Sequence, residues 1–257
     1  MTPEDMAHRL LYRDGLMLII DKPAGVAVHR GPKGGPSLED AFPALQFGLP
    51  KPPALAHRLD RETSGCLVLG RHRKALANLS DLFRYGKVGK TYWAVVEGGP
   101  QEDEGRIDLA LSKLDDNRGW WMKTDPAGLP SSTLWKVMGR TGGLTWLSLE
   151  PLTGRTHQLR LHCAAMGWPI LGDDIYGNEA STRRARNEGL PHTGGGVRLH
   201  LHAREIAVPL YKNRDAIKVT APVPPHMHER LKACGWNGED VVVATQSLNR
   251  PRAEERT

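Results

Sequence analysis

Cysteine is scarce in this chain. Cys66, Cys163 and Cys234 are the three in 257 residues, an odd number, widely spaced and with no C-x-x-C pair. A disulfide framework, a zinc finger and a dithiol redox motif are therefore not expected, and a reducing compartment fits best. Metal-ligand spacing is also missing: His157, His162, Cys163, His200 and His202 are candidate ligands, but none forms H-E-x-x-H or a paired Cys/His pattern. No metal is expected. Long apolar runs are absent as well, none approaching the ~18 residues of a membrane span. The opening MTPEDMAHRLLYRDG has acidic residues and no apolar core of a signal peptide, so the expected location is cytoplasmic, away from membranes. There is no internal repeat.

A chain of this length with 39% hydrophobic residues can bury one substantial core. One catalytic domain over residues 1–236 is expected, followed by a polar, mobile tail over 237–257 that ends in RPRAEERT. Lys and Arg number 35 against 29 Asp and Glu, a net charge of +6. Such an excess favours a polyanionic partner only if it is clustered.

From Leu16, LMLIIDKPAGVAVH reads as a strand, a Lys-Pro-Ala-Gly turn and a second short strand ending at His29. Residues 30–53, rich in Gly and Pro, read as loop, leading into AHRLDRETSG at 56–65 and the apolar strand CLVLG. Leu76, Leu79, Leu82 and Phe83 have helical spacing within 72–85. TYWAVVEG at 91–98, Ser132–Val137 and Leu144–Glu150 have strand character, whereas TGRTHQLRLHCAAMG returns to helical periodicity. The alternation Val197, Leu199, Leu201, Ala203 slips a phase before Ile206, Val208 and Leu210, which predicts a bulge. Residues 178–196 lack periodicity and read as a surface loop. The order of elements is that of an α+β fold, a largely antiparallel sheet flanked by helices and loops.

Two polar clusters stand out. His57-Arg58-Leu59-Asp60-Arg61-Glu62-Thr63-Ser64-Gly65 crowds charge onto one short loop, more than a turn requires. Asp60 sits between Arg58 and Arg61, a positive setting that suits a charged carboxylate. Such a group can serve as nucleophile or general base. It can equally sit in an ordinary loop salt bridge, and the residues alone leave both open. The second cluster, Thr153-Gly154-Arg155-Thr156-His157-Gln158-Leu159-Arg160-Leu161-His162, puts His157 and Arg160 on one helix face.

The strings KPAGVAVH, AHRLDRETSG, KTYWAVVEG, TGRTHQLRLHCAAMGWPILGDDIYG and LHLHAREI, in this order, resemble the successive signature segments of the RluA family of RNA pseudouridine synthases. The resemblance covers roughly residues 10–225. It implies a pseudouridine-synthase-type catalytic domain that isomerises uridines in structured rRNA or tRNA, with no DNA partner, and the enzyme is expected to be a monomer. By the same resemblance Asp60 is the catalytic carboxylate, Tyr92 stacks near the target base and Arg160 pairs with Asp60. Leu159 walls the pocket, Arg58 positions RNA, and His57, His157 and His202 hold the site. Arg58, Arg61, Arg71, Arg73 and Lys74 are candidates for phosphate contact. The family's usual S4-like RNA-binding module is not expected, because the catalytic signature begins within the first twenty residues. Isomerisation gains and loses no atom, so no cofactor is expected.

Overall fold

The computed structural model describes residues 2–31, 34–114, 121–177 and 197–239. The expected loop at 178–196 and most of the expected tail, 240–257, lie outside the described residues. The strands, in chain order, are β1 (Leu10–Arg13), β2 (Met17–Lys22), β3 (Ala54–Leu55), β4 (Ser64–Gly70), β5 (Gly89–Glu97), β6 (Glu104–Lys113), β7 (Met122–Thr124), β8 (Leu129–Thr141), β9 (Leu144–Pro151), β10 (Leu201–Val208) and β11 (Ile217–Thr220). The helices are α1 (Pro3–His8), α2 (Arg73–Arg84), α3 (Gln158–Ala165) and α4 (Pro225–Ala233), with a 3-10 segment at Leu38–Leu45.

One mixed sheet runs β1-β2-β4-β10-β5-β9-β8-β6-β7, with β3 beside β4 and β11 beside β10. The β4–β10 pair is parallel, joining Ser64 to His202 and Gly65 to Ala203. The other strand pairs described are antiparallel. This is the α+β, largely antiparallel architecture expected from the order of elements.

β4 is buried along its whole length, which is why CLVLG is apolar without alternation. Cys66 and Val68 pack with Leu79 of α2, while Leu67 and Leu69 pack with Phe42 and Leu45 of the 3-10 segment. Leu159 and Cys163 of α3 cover Ala94, Leu147 and Leu149. Met227 and Leu231 of α4 close over Val95 and Trp146. The predicted bulge is present as a register shift between Ala203 and Glu205 of β10. There the buried Arg204 lies 4.6 Å from the Trp93 ring centre and donates to the Ala221 carbonyl.

Two expectations need correction, and one strand had none. Residues 26–29 form no strand: the Leu38 N–H bonds to the Ala27 carbonyl, and Val28 is drawn in beside Leu38 and Phe42. The supposed loop at 30–53 contains the 3-10 segment, which opens where Asp40 accepts from the Ser37 N–H and buries Leu38, Ala41, Phe42 and Leu45. Strand β6 was not anticipated, because its acidic approach QEDEG hides the period-two run of Ile107, Leu109 and Leu111. Among the described residues no helix is long and apolar enough to cross a membrane.

Candidate active site

The loop bearing Asp60 lies between β3 and β4, and a buried lysine holds its backbone in place. Lys22, at the end of β2, is fully buried, and its Nζ donates to the carbonyls of Pro23 at 2.8 Å, Arg61 at 2.9 Å and Thr63 at 2.8 Å. Three N–H groups meet three carbonyls, the full donor set of an ammonium. Burial pulls its pKa down to about 7, opposed by the carboxylates of Glu62, Asp60 and Asp21. At the loop's exit Gly65 has φ +106°, and a Cβ there would lie 2.3 Å from the Ala203 carbonyl oxygen. Only glycine lets β4 approach β10 this closely.

The opposite wall is built by the second polar cluster. Thr153 Oγ1 accepts from the Ser132 N–H and donates to Gln158 Oε1, which also accepts from the Arg155 N–H. Gln158 Nε2 donates to the Ser132 carbonyl and Thr133 Oγ1. Gln158 therefore ties the start of α3 to β8. His157, just before α3, has φ 53°, a left-handed conformation uncommon outside glycine. Its Nδ1 lies 2.9 Å from the Tyr176 hydroxyl and its Nε2 3.8 Å from Asp60 Oδ1. Since the Met122 N–H already donates to the Tyr176 oxygen, that hydroxyl can give its own proton to Nδ1, so that an Nε2–H faces Asp60. Burial lowers the His157 pKa and favours this neutral ring.

Arg160 is buried, and three carboxylates share it, the exposed Asp174 reaching Nη2 at 3.3 Å. Its Nε and Nη2 bond Asp173 at 2.8 and 2.7 Å, while Nη1 stands 3.7 Å from Asp60 Oδ2. Asp173 also accepts from the N–H groups of Ile175 and Tyr176. Burial works against the charge on both partners, yet hydrogen bonding and mutual attraction win, leaving Asp173 below its ordinary pKa and Arg160 above its own. Gly172 makes this turn possible: its φ is +78°, and a Cβ would sit 2.3 Å from the Arg198 carbonyl oxygen.

Between the two walls opens a cavity of about 380 Å³, room enough for an extruded nucleobase with part of its sugar. Asp60, Tyr92, Arg160, Leu159, Arg58 and His57 all line it. Asp60 keeps 21% of its side chain exposed, and neither of its carboxylate oxygens has a hydrogen bond among the described residues. Burial, with the Asp60 charge adding to it, raises the Tyr92 pKa and keeps the phenol protonated. His57 stacks on Phe83 at 4.2 Å and accepts from the Val68 N–H; burial drops its pKa to about 3, so it stays neutral.

Four of the basic residues expected to contact RNA lie outside the cavity lining. Arg61 does not line the cavity; its Nε donates to the Gly25 carbonyl at 3.0 Å and lies 3.6 Å from Glu62. Arg71 binds the carbonyls of Asp14, Gln46 and Phe47, and Arg73 and Lys74 are exposed on α2 outside the lining. The remaining candidate metal ligands have separate partners: His162 faces Ser131, His200 the Arg198 carbonyl and His202 Ser64. Sequence reasoning missed Lys22, Gln158, Asp173 and Tyr176. All four sat inside quoted strings, but nothing in a string says which carbonyls, amides or guanidinium they reach.

Comparison with known proteins identifies the family. The family model described as RNA pseudouridylate synthase matches residues 16–165. An uncharacterized RNA pseudouridine synthase of Zymomonas mobilis is 40% identical over 221 residues, covering 85% of this chain and 95% of the relative. A ribosomal large subunit pseudouridine synthase C of Haemophilus ducreyi is 34% identical, covering 87% of this chain and 68% of the relative. Among solved structures, human RNA pseudouridylate synthase domain containing 4 superposes with a TM-score of 0.72 at 25% identity, covering 90% of this chain and 95% of the other. The chain belongs to the RNA pseudouridylate synthase family, of the RluA type, and is an isomerase that converts uridine to pseudouridine in RNA.

Proposed function

We propose that this enzyme acts on selected uridines in structured rRNA or tRNA, with Asp60 as its catalytic carboxylate. One observation carries the assignment: Asp60 is the acid at the cavity wall whose oxygens are open to the cavity, while its neighbour Asp173 is consumed by Arg160. Tyr92 stacks on the extruded base, Leu159 forms the apolar wall and Arg160 keeps a positive charge beside Asp60. Arg58, exposed at the rim, contacts the RNA backbone.

The reaction breaks the bond from the ribose anomeric carbon to uracil N1, turns the base and joins the same carbon to C5, whose proton leaves to solvent while N1 takes one up. Asp60 serves by attacking the base or sugar, or by managing the charge of the detached species. Flipping the uridine costs a few kcal/mol, which a loop or bulge reduces. The catalytic unit of the proposal is residues 1–236, acting as a cytoplasmic monomer without metal or organic cofactor. The Haemophilus ducreyi relative is named for the large ribosomal subunit, which makes rRNA the first RNA to test.

The test maps pseudouridines in total RNA with and without the protein, then follows tritium release from uracil C5. Asp60→Asn should bind RNA nearly as well as wild type and lose more than about a hundredfold in turnover. Substantial release by that variant, freed of host synthases, removes Asp60 from the catalytic role.

A further inference from the structure

Five cations line the cavity, and they are not equivalent. Arg160 is neutralised by Asp173, and Arg84 pairs with Asp81. Arg58, Lys90 and Arg155 have no carboxylate partner among the described residues. Of these, Arg58 and Arg155 are exposed, so water solvates their charge. Lys90 is not: it is half-buried on β5, and the contact described for its ammonium is the Thr153 carbonyl at 3.4 Å. Removal from water alone lowers its pKa. A half-desolvated ammonium with one long hydrogen bond is an unfavourable feature, and an arriving anion would compensate it.

We propose that Lys90 binds one of the two phosphodiesters that flank the target uridine, fixing that nucleotide step while its base faces Asp60. Lys90 stands two residues before Tyr92 on the same strand, roughly 7 Å along it, and both line the cavity. A base against Tyr92 thus leaves its own backbone within reach of the Nζ. Beyond Lys90 the wall is the neutral His57–Phe83 stack, which brings no carboxylate to compete with the phosphate. The assignment rests on the RNA reading of this site.

A synthetic stem-loop carrying the mapped uridine tests it. Each flanking phosphate is replaced in turn by an uncharged methylphosphonate beside a 2′-O-methyl ribose, and each is compared with a control having the same methylated ribose and a normal phosphate. Filter binding is measured for wild type, Lys90→Met and Lys90→Arg. One of the two replacements should weaken wild-type binding at least about tenfold, and Lys90→Met should weaken binding of the control by a similar factor. The two losses should not add, and Lys90→Arg should recover most of the affinity. Additive losses at both phosphates, or full affinity in Lys90→Met, overturn the role of Lys90. If Lys90→Met fails to fold, a wild-type response to neither phosphate, or a Lys90→Arg protein bound no better by charged than by uncharged RNA, overturns it as well. Failure of the RNA reading is visible separately, since wild type then converts no uridine in the unmodified stem-loop.

Discussion

Arg160 stands between a loop and a floor, and each presents an aspartate to it. The floor aspartate, Asp173, is buried and takes two guanidinium hydrogen bonds and two backbone N–H groups. The loop aspartate, Asp60, stands off at 3.7 Å with its oxygens open to the cavity. Chemically identical carboxylates thus divide the work: Asp173 fixes the position of the cation, and Asp60 is left in its field with room for substrate. The same division runs through the backbone. Arg160 itself stands on a helix tied to a strand by Gln158, whereas the loop is held from beneath by one ammonium.

Acid should break this comparison most strongly. Burial lowers the pKa of His162 on α3 to about 4, from 6.5, and does the same to His200 before β10. Between those values the unfolded chain carries protons that the folded rings refuse, so stability falls as pH falls through the window from 6.5 to about 4. A loss on the order of 5 kcal/mol across it is expected from urea midpoints taken at successive pH values. A flat profile would mean that these rings accept protons in the fold.

Next in size, Arg160→Met should cost about 3–5 kcal/mol of stability, because it strands Asp173 in the core. Asp60→Asn should change thermal stability little while abolishing turnover. Equal destabilisation by both changes would erase the distinction between floor and loop. Lys22→Met should cost about 2–4 kcal/mol, since three carbonyls lose their donor, and activity should fall further than stability alone accounts for. Kinetics well below the melting temperature separate the two effects. The smallest change is Tyr176→Phe, which removes the hydroxyl beside His157: about 1 kcal/mol of stability and a modest drop in turnover, read by calorimetry and single-turnover rates.

Much of the fold was legible where pattern and burial coincide. α2 follows the helical spacing of its leucines, and the phase slip near Ala203 marks a real bulge. Legibility failed where long-range partners override local pattern. Val26–His29 looks like a strand but gives its backbone to the 3-10 segment, and Arg61, next to Asp60 in sequence, turns toward Gly25.

By itself the sequence determined the family, the α+β class and the two polar clusters that meet at the cavity, because these depend on residue type and order. Only the tertiary structure decided which aspartate Arg160 grips, that Lys22 clamps the loop bearing Asp60, and that Lys90 rather than Arg61 faces the cavity. Each of those outcomes depends on contacts between residues far apart in the chain, such as Lys22 with Thr63 or Lys90 with Thr153, and on how much water the packing leaves around each charge.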